Sequence, residues 1–332
     1  MTTGPTSITP VGQPETRAGT AIAGTAVVDE ATRQDQGGGA PQPQPTPPGG
    51  SGQAVRWRDT RGFYHVFVYT LLVAGGVLML APFAILISNS LMSADEAQRP
   101  GVIVPDEPMW SNFPRALGQM DFINALANTT FVTFFAVVLQ VLTCSLVGLG
   151  FARYRFRGRG PTFSVMLATM MIPPQVTMIP VFLLFRSLGM VDTFWPLILQ
   201  ALIGSPFFIF MFRQFFLQIP EDLLEAAKID GAKPLTIYWR LMLPLSTPVI
   251  AIVAIYTFMF TWNDFLGPLI YLNSPEKRTL AIALNAFGGQ YGVEFKNLLM
   301  AASFVTMLPC IILFFAAQRY FMDTGTSSGL KG

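Results

Sequence analysis

The stretch FINALANTTFVTFFAVVLQVLTCSLVGLG (122–150) contains no Asp, Glu, Lys or Arg and is long enough to cross a lipid bilayer as a helix. About 20 apolar residues cross the hydrocarbon core, because a helix rises roughly 1.5 Å per residue. Backbone groups in lipid need internal partners, and the alternating pattern of barrel strands is absent. Five other runs also reach this length of about 20 residues and together carry only one charge, that of Asp264. They are 64–91, 161–185, 193–212, 241–273 and 297–318. The sequence therefore predicts an all-α integral membrane protein with six transmembrane helices.

The composition excludes several functional classes. Of 332 residues, 12% are charged and 52% are hydrophobic, whereas about 25% of the residues of an ordinary soluble domain are charged. The net charge of +2 lacks the concentrated basic face of a nucleic-acid-binding protein. Cys144 and Cys310 lie in apolar runs, and His65 is the single histidine. These counts argue against a disulfide scaffold, a structural zinc site and His-dependent catalysis.

The chain changes character near residue 55. Residues 1–54 contain no aromatic side chain, and 18 of them are Gly or Pro. Such a segment cannot bury enough apolar surface to offset the entropy of ordering. We therefore predict a disordered, Gly/Pro-rich cytoplasmic tail over 1–55 and a six-helix transmembrane domain over 56–332.

The distribution of basic residues predicts the orientation. Six spans place both termini on one side of the membrane, and Lys and Arg are enriched in cytoplasmic loops. With the N-terminus inside, and leaving aside the tail at 1–54, 13 basic residues flank the spans on the inner side and six lie on the outer side. The run RYRFRGR (153–159) carries four arginines and no acid. We expect a multi-pass protein of the plasma membrane with both termini in the cytoplasm.

Polar groups within the predicted spans are candidates for the substrate pathway. Asp264 lies in TWNDF (261–265), and a carboxylate at this depth is expected to face a partner or water. The neighbouring Trp262 and Asn263 can stack on a polar solute and hydrogen-bond to it, and Asn128 and Gln175 are further candidates. A structural hydrogen-bond cluster or an interfacial aromatic anchor explains TWNDF equally well.

The loop between the fourth and fifth predicted spans carries the most specific pattern, FRQFFLQIPEDLLEAAKIDGAKPLTIYWRLMLPLSTP (212–248). Pro220 suits a first helical position, and Gly231 suits the position after a helix end. The predicted apolar face comprises Leu223, Leu224, Ala227 and Ile229. Such an amphipathic helix either docks on a soluble protein or lies in the membrane interface.

This loop resembles the EAA loop of ABC-importer permeases. The matching positions, spanning about 219–244, are Glu225, Ala226, Ala227, Gly231, Leu241, Leu243 and Pro244. Only Leu241 departs from the usual pattern, in which Ile is typical. The wider chain from about residue 60 is similar to maltose-permease-like carbohydrate importers. The stretches that carry this similarity are LAPFAILISNSLMS (80–93), FARYRFRGRG (151–160), MMIPPQVTMIPVF (170–182), TWNDF and the tail GLKG (329–332).

The resemblance implies a set of partners. These are a second homologous permease subunit, two cytosolic ATPase subunits and an extracytoplasmic solute-binding protein. The implied ATPase contacts are Glu225, Ala226, Ala227, Asp230, Gly231, Leu243 and Pro244, with the tail residues Gly329, Lys331 and Gly332 as a further contact. The implied binding-protein contacts lie in the loop at 274–296 and are Gly288, Gly289, Gln290 and Tyr291.

The resemblance also implies a function, the import of a carbohydrate such as a di- or oligosaccharide. The chain lacks the G-x-x-x-x-G-K-[ST] phosphate loop, so ATP and Mg²⁺ are expected on the ATPase subunits and no cofactor in this chain. Import of a polyol phosphate is one alternative. An ion-coupled secondary transporter is another, but its ion site would depend almost entirely on Asp264. A membrane-embedded enzyme is disfavoured because paired catalytic residues are absent.

Overall fold

The computed structural model describes residues 58–291 and 295–326, and the side chains within 64–289 and 295–318. All the regular structure in these ranges is helical. The predicted tail at 1–55 and the tail residues Gly329, Lys331 and Gly332 lie outside the described residues. In chain order the α-helices are α1 (Arg58–Ser90), α2 (Ala94–Gln98), α3 (Asn112–Gln119), α4 (Phe122–Arg153), α5 (Arg159–Ala168), α6 (Pro174–Ser187), α7 (Trp195–Ile203), α8 (Pro206–Gln218), α9 (Glu221–Ile229), α10 (Pro234–Ile237), α11 (Leu243–Leu245), α12 (Thr247–Trp262), α13 (Leu266–Tyr271), α14 (Leu280–Tyr291) and α15 (Lys296–Thr326).

Three short elements complete the described chain. Thr169–Met171 and Pro275–Lys277 form 3₁₀ turns, and Tyr238–Met242 forms a π-helical turn.

Four described segments are long and apolar enough to cross a membrane. They are Tyr64–Ser90, Phe122–Arg153, Trp195–Gln218 and Lys296–Gln318. Two further pairs of helical segments qualify only jointly, because each is bent at a short break. The count is therefore between four and six spans, and six requires that each bent pair cross the membrane once.

The third predicted span is divided in two rather than straight. Its halves, Arg159–Met171 and Pro174–Ser187, meet at 100°. Pro174 opens α6, where it has no N–H to donate and its ring would clash with the carbonyl of a preceding helical turn. The segments Pro234–Leu245 and Thr247–Trp262, which lead into and form the fifth predicted span, likewise meet at 77°. The prolines in these segments indicate that the helices break, but the angle between the two halves of each pair depends on how they pack against the rest of the protein.

The larger apolar core forms where α4, α8 and α12 meet. Phe212, Phe216 and Val253 are fully buried there. Helices α4 and α8 approach so closely at Gly148 that an added Cβ would lie 2.7 Å from Cβ of Phe212 and 3.2 Å from the Ile209 carbonyl oxygen. Gly148 thus sets the spacing of this helix pair.

A second core lies at the predicted outer end, where α3, α14 and α15 pack together. Beside it, two buried amides connect distant parts of the chain. Asn112 donates to the carbonyls of Ser90 and Met92, at 2.9 and 2.8 Å. Asn297 donates to the Met92 carbonyl and to the Asn112 side chain. The segment that follows α1 is therefore fixed to the starts of α3 and α15.

Replacing Gly148 with alanine tests the close approach of α4 and α8. We expect destabilisation of about 1–3 kcal/mol, because the new methyl group cannot fit without moving α8. Gly150→Ala is the matched control on the same helix, since a Cβ there meets nothing within 4 Å. The check is thermal unfolding of both purified variants in detergent, and equal midpoints would contradict the packing described here.

Candidate functional site

Helix α9 (Glu221–Ile229) lies in the EAA-like loop, and its local sequence accounts for both ends. It begins at Glu221, one residue later than the sequence suggests, with Pro220 immediately before it. At its C-terminal end Gly231 has φ +77°, a region that favours glycine. Gly231 donates to the Lys228 carbonyl and Ala232 to the Ala227 carbonyl, both at 3.0 Å. These are the two bonds of a Schellman motif.

The faces of α9 differ from the predicted apolar stripe. Leu224 is buried and Ala227 is half-buried, so this side faces the bundle. Leu223 and Ile229 are exposed, and Ile229 retains 86% of its accessible surface. Asp222, Glu225, Ala226 and Ile229 follow the spacing i, i+3, i+4 and i+7, so they share one exposed face. We call these four residues the outward face of α9.

Arginines connect the helix ends that lie beside this loop. Arg153 is the last residue of α4. Its side chain donates to two backbone carbonyls at the C-terminal end of α8, that of Phe216 at 2.5 Å and that of Ile219. Arg213 of α8 donates in return to the Phe151 carbonyl near the end of α4, at 3.3 Å. Since the last carbonyls of a helix have no intrahelical partner, each helix is capped by a side chain of the other.

Two further contacts extend this reciprocal cap. Arg159 donates to the Ala152 carbonyl at 3.2 Å. The guanidinium of Arg213 lies 4.4 Å from the ring centroid of Phe163 on α5. The run RYRFRGR therefore supplies both positive charge and specific caps at the predicted cytoplasmic end.

A π-helical turn, Tyr238–Met242, connects the EAA-like loop to α12. Such turns are rare and often occur at functional sites. Tyr238 is 1% exposed, and its hydroxyl lies 2.7 Å from the Ser145 hydroxyl on α4. Of the remaining EAA-like positions, Leu243 is half-buried and Pro244 is exposed on α11.

Asp264 lies between α12 and α13, and two neighbours define its position. Its Oδ1 accepts a hydrogen bond from the Gly267 backbone N–H at 3.1 Å, one of the N–H groups in the first turn of α13 that have no partner within the helix. A Cβ at Gly267 would collide with the Asp264 carboxylate. The acid therefore has a structural partner, so the structural explanation of TWNDF applies to this interaction.

Asp264 also lines a cavity of about 300 Å³ between α4, α7 and α12. Polar side chains recur along its walls at helical spacing. On α12 and just after it, Thr257, Thr261 and Asp264 lie four and three residues apart, so they share one helix face. The polar lining residues are Thr129, Gln140, Gln200, Ser205, Thr257, Thr261, Asp264 and Thr279. Except for Asp264, sequence reasoning missed this set, although the spacing of Thr257, Thr261 and Asp264 contains the signal.

Trp262 and Asn263 line a second, more open cavity of about 690 Å³ with Gly288 and Gly289. Trp262 is 5% exposed and stacks on Phe258 with 5.0 Å between ring centroids. Asn263 donates to the Met259 carbonyl at 2.7 Å. The structure thus separates these residues from Asp264 and brings them to the two glycines.

The predicted outer loop at 274–296 contains a helix, α14 (Leu280–Tyr291). Leu280, Ala283 and Phe287 are buried on it at helical spacing, which accounts for the helix. Gly288 and Gly289 lie within its last turns, with Gly288 half-buried and Gly289 exposed. Gln290 and Tyr291 end the helix, and their side chains lie outside the described residues.

The other two candidate pathway residues lie apart from Asp264. Asn128 donates to the carbonyls of Glu276 and Arg278, at 2.8 and 3.0 Å, and so holds the loop before α14. Gln175 is exposed at the start of α6. Neither is among the residues that line the two cavities.

Asp192 fastens the same loop from the other side. It accepts hydrogen bonds from the Ser274 hydroxyl at 2.6 Å and from the Asn273 backbone N–H at 3.0 Å, and forms an ion pair with Lys277 at 2.9 Å. Its φ of +61° is unusual for a residue other than glycine. The Ser274 hydroxyl and backbone N–H, the Lys277 ammonium and the Asn273 N–H hold the pKa of the Asp192 carboxyl well below its usual range.

Comparison with known families identifies the class of protein. Residues 144–323 match the model of the family described as "binding-protein-dependent transport system inner membrane component". The chain belongs to this family, and its apolar helices make it a multi-pass membrane protein.

Individual relatives extend the match over most of the chain. The arabinooligosaccharides transport system permease protein AraQ of Bacillus subtilis (strain 168) is 33% identical over 273 residues, which are 81% of this chain and 96% of that protein. The melibiose/raffinose/stachyose import permease protein MelC of the same organism is 30% identical, and the match covers 76% of this chain and 91% of that protein. The fold also matches a solved structure, the crystal structure of a bacterial ABC transporter involved in the import of the acidic polysaccharide alginate. The TM-score is 0.70 at 26% identity, and the match covers 80% of this chain and 98% of that chain. These matches establish the ABC permease fold.

The Asp192 contacts predict a stability difference that depends on pH. Because the folded carboxyl has a lowered pKa, its stabilisation is complete above the unfolded value of about 3.9 and declines as pH falls toward the folded pKa. Asp192→Asn should therefore lower the melting temperature near neutral pH, and the gap from the wild type should narrow as pH falls below about 4. Thermal melts of both proteins in detergent across this range provide the check. A gap independent of pH would show that the charge of Asp192 contributes nothing.

Proposed function

We propose that this chain is the transmembrane permease subunit of an ATP-driven ABC importer for a carbohydrate, a di- or oligosaccharide. Relatives are named for arabinooligosaccharides, for melibiose, raffinose and stachyose, for lactose and for maltodextrin. The common feature of these solutes is a neutral, hydroxyl-rich surface. The main structural support for the transport mechanism is the exposure of the outward face of α9.

The cavity chemistry favours a neutral solute over a polyol phosphate. Its lining contains one carboxylate and no basic residue. A phosphate would need positive charge or several free N–H groups, and a nearby carboxylate would repel it. An ion-coupled secondary transporter is also disfavoured, because the one acid that lines the cavity already accepts a hydrogen bond from the Gly267 backbone N–H.

The permease is oriented with both termini in the cytoplasm, and α9 acts as its coupling helix. In this orientation the two bent pairs each form one span, which gives six spans in total. The four arginines of RYRFRGR then lie on the inner side, as the positive-inside rule favours. The EAA-like loop is on the same side, where a cytosolic ATPase can reach it.

The outward face of α9 forms the contact with an ATPase subunit. Glu225 and Asp222 supply negative charge, and Ile229 supplies an exposed apolar anchor. Interfaces commonly combine a buried apolar anchor with a charged rim. The small Ala226 allows close approach, and Asp230 and Gly231 shape the turn that follows. ATP and Mg²⁺ bind to the ATPase subunits, and their closure displaces α9.

Displacement of α9 reaches the membrane-spanning part through two rigid connections. The Leu224 side of α9 packs in the same core as Tyr238 and Val253. The π-helical turn then leads through α11 and the 77° bend into α12, which carries Thr257 in its second half. A push on the loop is thereby transmitted to the helix that lines the cavity, in keeping with alternating access by rocking of helical units.

The remaining partners occupy the other exposed surfaces. The solute-binding protein contacts the predicted outer surface around Gly288, Gly289, Gln290 and Tyr291. The second permease subunit and lipid cover the apolar surface of α1, whose most apolar window contains no buried residue. The C-terminal residues Gly329, Lys331 and Gly332 remain a predicted ATPase contact.

Substitution of Gly231 with valine tests the coupling role. Its surroundings are open, so the strain comes from the positive φ alone and alters the turn that ends α9. We expect normal membrane insertion, ATP hydrolysis that continues, and uptake reduced about tenfold or more because the outward face of α9 is misplaced. Uptake and hydrolysis should be measured together in proteoliposomes that contain the complete transporter.

Gly189→Val is the matched control. Gly189 has φ +70°, open surroundings and the same Schellman bonds at the end of α6, on the predicted outer side. It imposes the same backbone strain away from the EAA-like loop. Uptake at wild-type levels in Gly231→Val, or an equal loss in both variants, would contradict the coupling role.

Replacing Tyr238 with phenylalanine tests the connection to α12. The variant removes one hydrogen bond to Ser145, which still bonds to the Val141 carbonyl, so stability should fall by about 0.5–1.5 kcal/mol. Uptake per ATP hydrolysed should also fall, because the π-helical turn loses its link to α4. Tyr256→Phe on the exposed side of α12 is the control. An unchanged ratio in Tyr238→Phe would exclude this link from coupling.

A further inference from the structure

A second face of α9 borders a cleft at the C-terminal end of α4. Glu221, Leu224 and Lys228 lie three and four residues apart along α9, so they share one helix face. Together with Leu149 and Arg153 of α4 they line a cleft of about 260 Å³, which we call the α4–α9 cleft. None of the four residues of the outward face of α9 is among its lining residues. The cleft is therefore separate from the surface proposed to contact the ATPase.

The floor of the α4–α9 cleft is apolar and its rim is charged. Leu149, Leu224 and Met242 line the cleft and are buried. Glu221 and Lys228 also line it, and both are exposed. A charge contact beside an apolar floor is stronger than one in open water, because the effective dielectric constant is lower there. The cleft therefore suits a ligand that has carbon atoms next to a charged group.

The charge of the cleft favours an anion. Of its lining residues Arg153 and Lys228 are cationic, and Glu221 is the single acid. Arg153 is held by carbonyls of α8 but retains its charge. The Lys228 ammonium has no hydrogen bond or ion pair within the described part of the chain, so it is available to a ligand. Arg155 and Arg157, which follow α4, are exposed and add positive charge.

The length of α4 indicates which anions reach the cleft. The helix has 32 residues, which corresponds to about 48 Å. A bilayer measures about 30 Å across its hydrocarbon core and about 40–45 Å with its headgroups. Because Leu149 and Arg153 belong to the last two turns of α4, the cleft lies at the level of the headgroups. Anionic headgroups in the cytoplasmic leaflet attract basic residues that lie next to a span.

We propose that the α4–α9 cleft binds the headgroup of an anionic phospholipid, with the phosphate at Lys228 and Arg153. The proposal rests on the proposed orientation of the permease, which places α9 on the cytoplasmic side. Since Arg153 belongs to α4 and Lys228 to α9, a bound headgroup links the coupling helix to the end of a span.

The acid in the rim favours a particular kind of headgroup. An ionised carboxylate only accepts hydrogen bonds, so Glu221 suits a headgroup that carries hydroxyl donors, as phosphatidylglycerol does. Glu221 and Lys228 are seven residues apart, about 10 Å along the helix axis, and their side chains approach a glycerol phosphate from its two ends. The glycerol carbons then contact the apolar floor. A free phosphate ion has no such carbons and would lose hydration there without compensation.

Lys228→Gln tests the site, because it removes the available cation from an exposed position. The complete transporter should be stripped of lipid in detergent, titrated with phosphatidylglycerol and examined by native mass spectrometry. We expect the wild type to hold one more tightly bound phosphatidylglycerol molecule than the variant. The affinity for that molecule should be about tenfold or more weaker in the variant, since a charge-assisted hydrogen bond to phosphate is lost.

Lys233→Gln is the matched control. Lys233 lies in the same loop, is exposed and carries the same charge, but it is not among the residues that line the cleft. Its variant should bind as many phosphatidylglycerol molecules as the wild type. Melting temperatures should match in all three proteins, because neither ammonium has a partner within the described residues. Ala232→Leu, which narrows the cleft without changing its charge, is a second variant and should also release one lipid molecule.

Four results would overturn the lipid site. One is an unchanged number of bound phosphatidylglycerol molecules in Lys228→Gln, and another is an equal loss in Lys228→Gln and Lys233→Gln, which would indicate general attraction to positive charge. The third is displacement of the lipid from the wild type by millimolar inorganic phosphate, which would assign the cleft to a free anion. The fourth is equal affinity for phosphatidylethanolamine with the same acyl chains, since that headgroup has no net charge.

Sugar uptake by the wild type, measured separately in proteoliposomes with its binding protein, distinguishes this site from the proposed function. Normal uptake together with any of those four results would reject the lipid site and leave the transport function standing. Selective loss of one lipid molecule in Lys228→Gln without any sugar uptake by the wild type would support the site and contradict the carbohydrate function.

Discussion

The reciprocal cap between α4 and α8 is the interaction on which the rest of the architecture depends. A helix that ends at a membrane surface leaves its last carbonyls without intrahelical partners. Arg153 of α4 donates to a carbonyl at the end of α8, and Arg213 of α8 donates to a carbonyl at the end of α4. The contact fixes the ends of α4 and α8 relative to each other, and therefore fixes where the EAA-like loop begins.

Close packing above the cap makes that position rigid. Gly148 brings the two backbones into near contact, and Phe212 and Phe216 fill the space beside them. The loop that follows has the opposite character, since the outward face of α9 is exposed while Leu224 anchors the helix. In the proposed mechanism, this rigid helix pair and the anchored helix α9 transmit force from the ATPase subunit. The π-helical turn and α11 would then pass this force to α12 across the 77° bend.

Much of this architecture could be predicted from the sequence, because charge-free length is a strong constraint in lipid. The same holds for α9, where Pro220 and Gly231 indicate the two ends within one residue. The 100° break before α6 was only implied by Pro173 and Pro174, since a proline pair does not fix an angle. Helix α14 was missed, although the spacing of Leu280, Ala283 and Phe287 is helical.

The side-chain roles at the candidate sites were less accessible, for a physical reason. Asn128 bonds to carbonyls about 150 positions away, and such long-range pairs leave no local pattern. Asp264 was recognisable as a residue needing a partner, but its partner, the Gly267 N–H, depends on the turn between α12 and α13. The spacing of Thr257, Thr261 and Asp264 marks one polar helix face, but the residues that complete the cavity lining from α4 and α7 are identified only when the helices are assembled.

The central claim is that the outward face of α9 contacts a cytosolic ATPase, and cross-linking from Ile229 tests it most directly. In a variant without Cys144 and Cys310, Ile229→Cys should be labelled with a benzophenone maleimide in membranes that contain the complete transporter. The maleimide adds to the thiol, and irradiation of the benzophenone forms a bond to a C–H group of whichever protein lies beside it. The account predicts a covalent product between this chain and the ATPase subunit, and a yield that changes when ATP is added. If Cys at 229 reacts with a monofunctional thiol reagent but forms no product with the ATPase subunit in any nucleotide state, the account is contradicted.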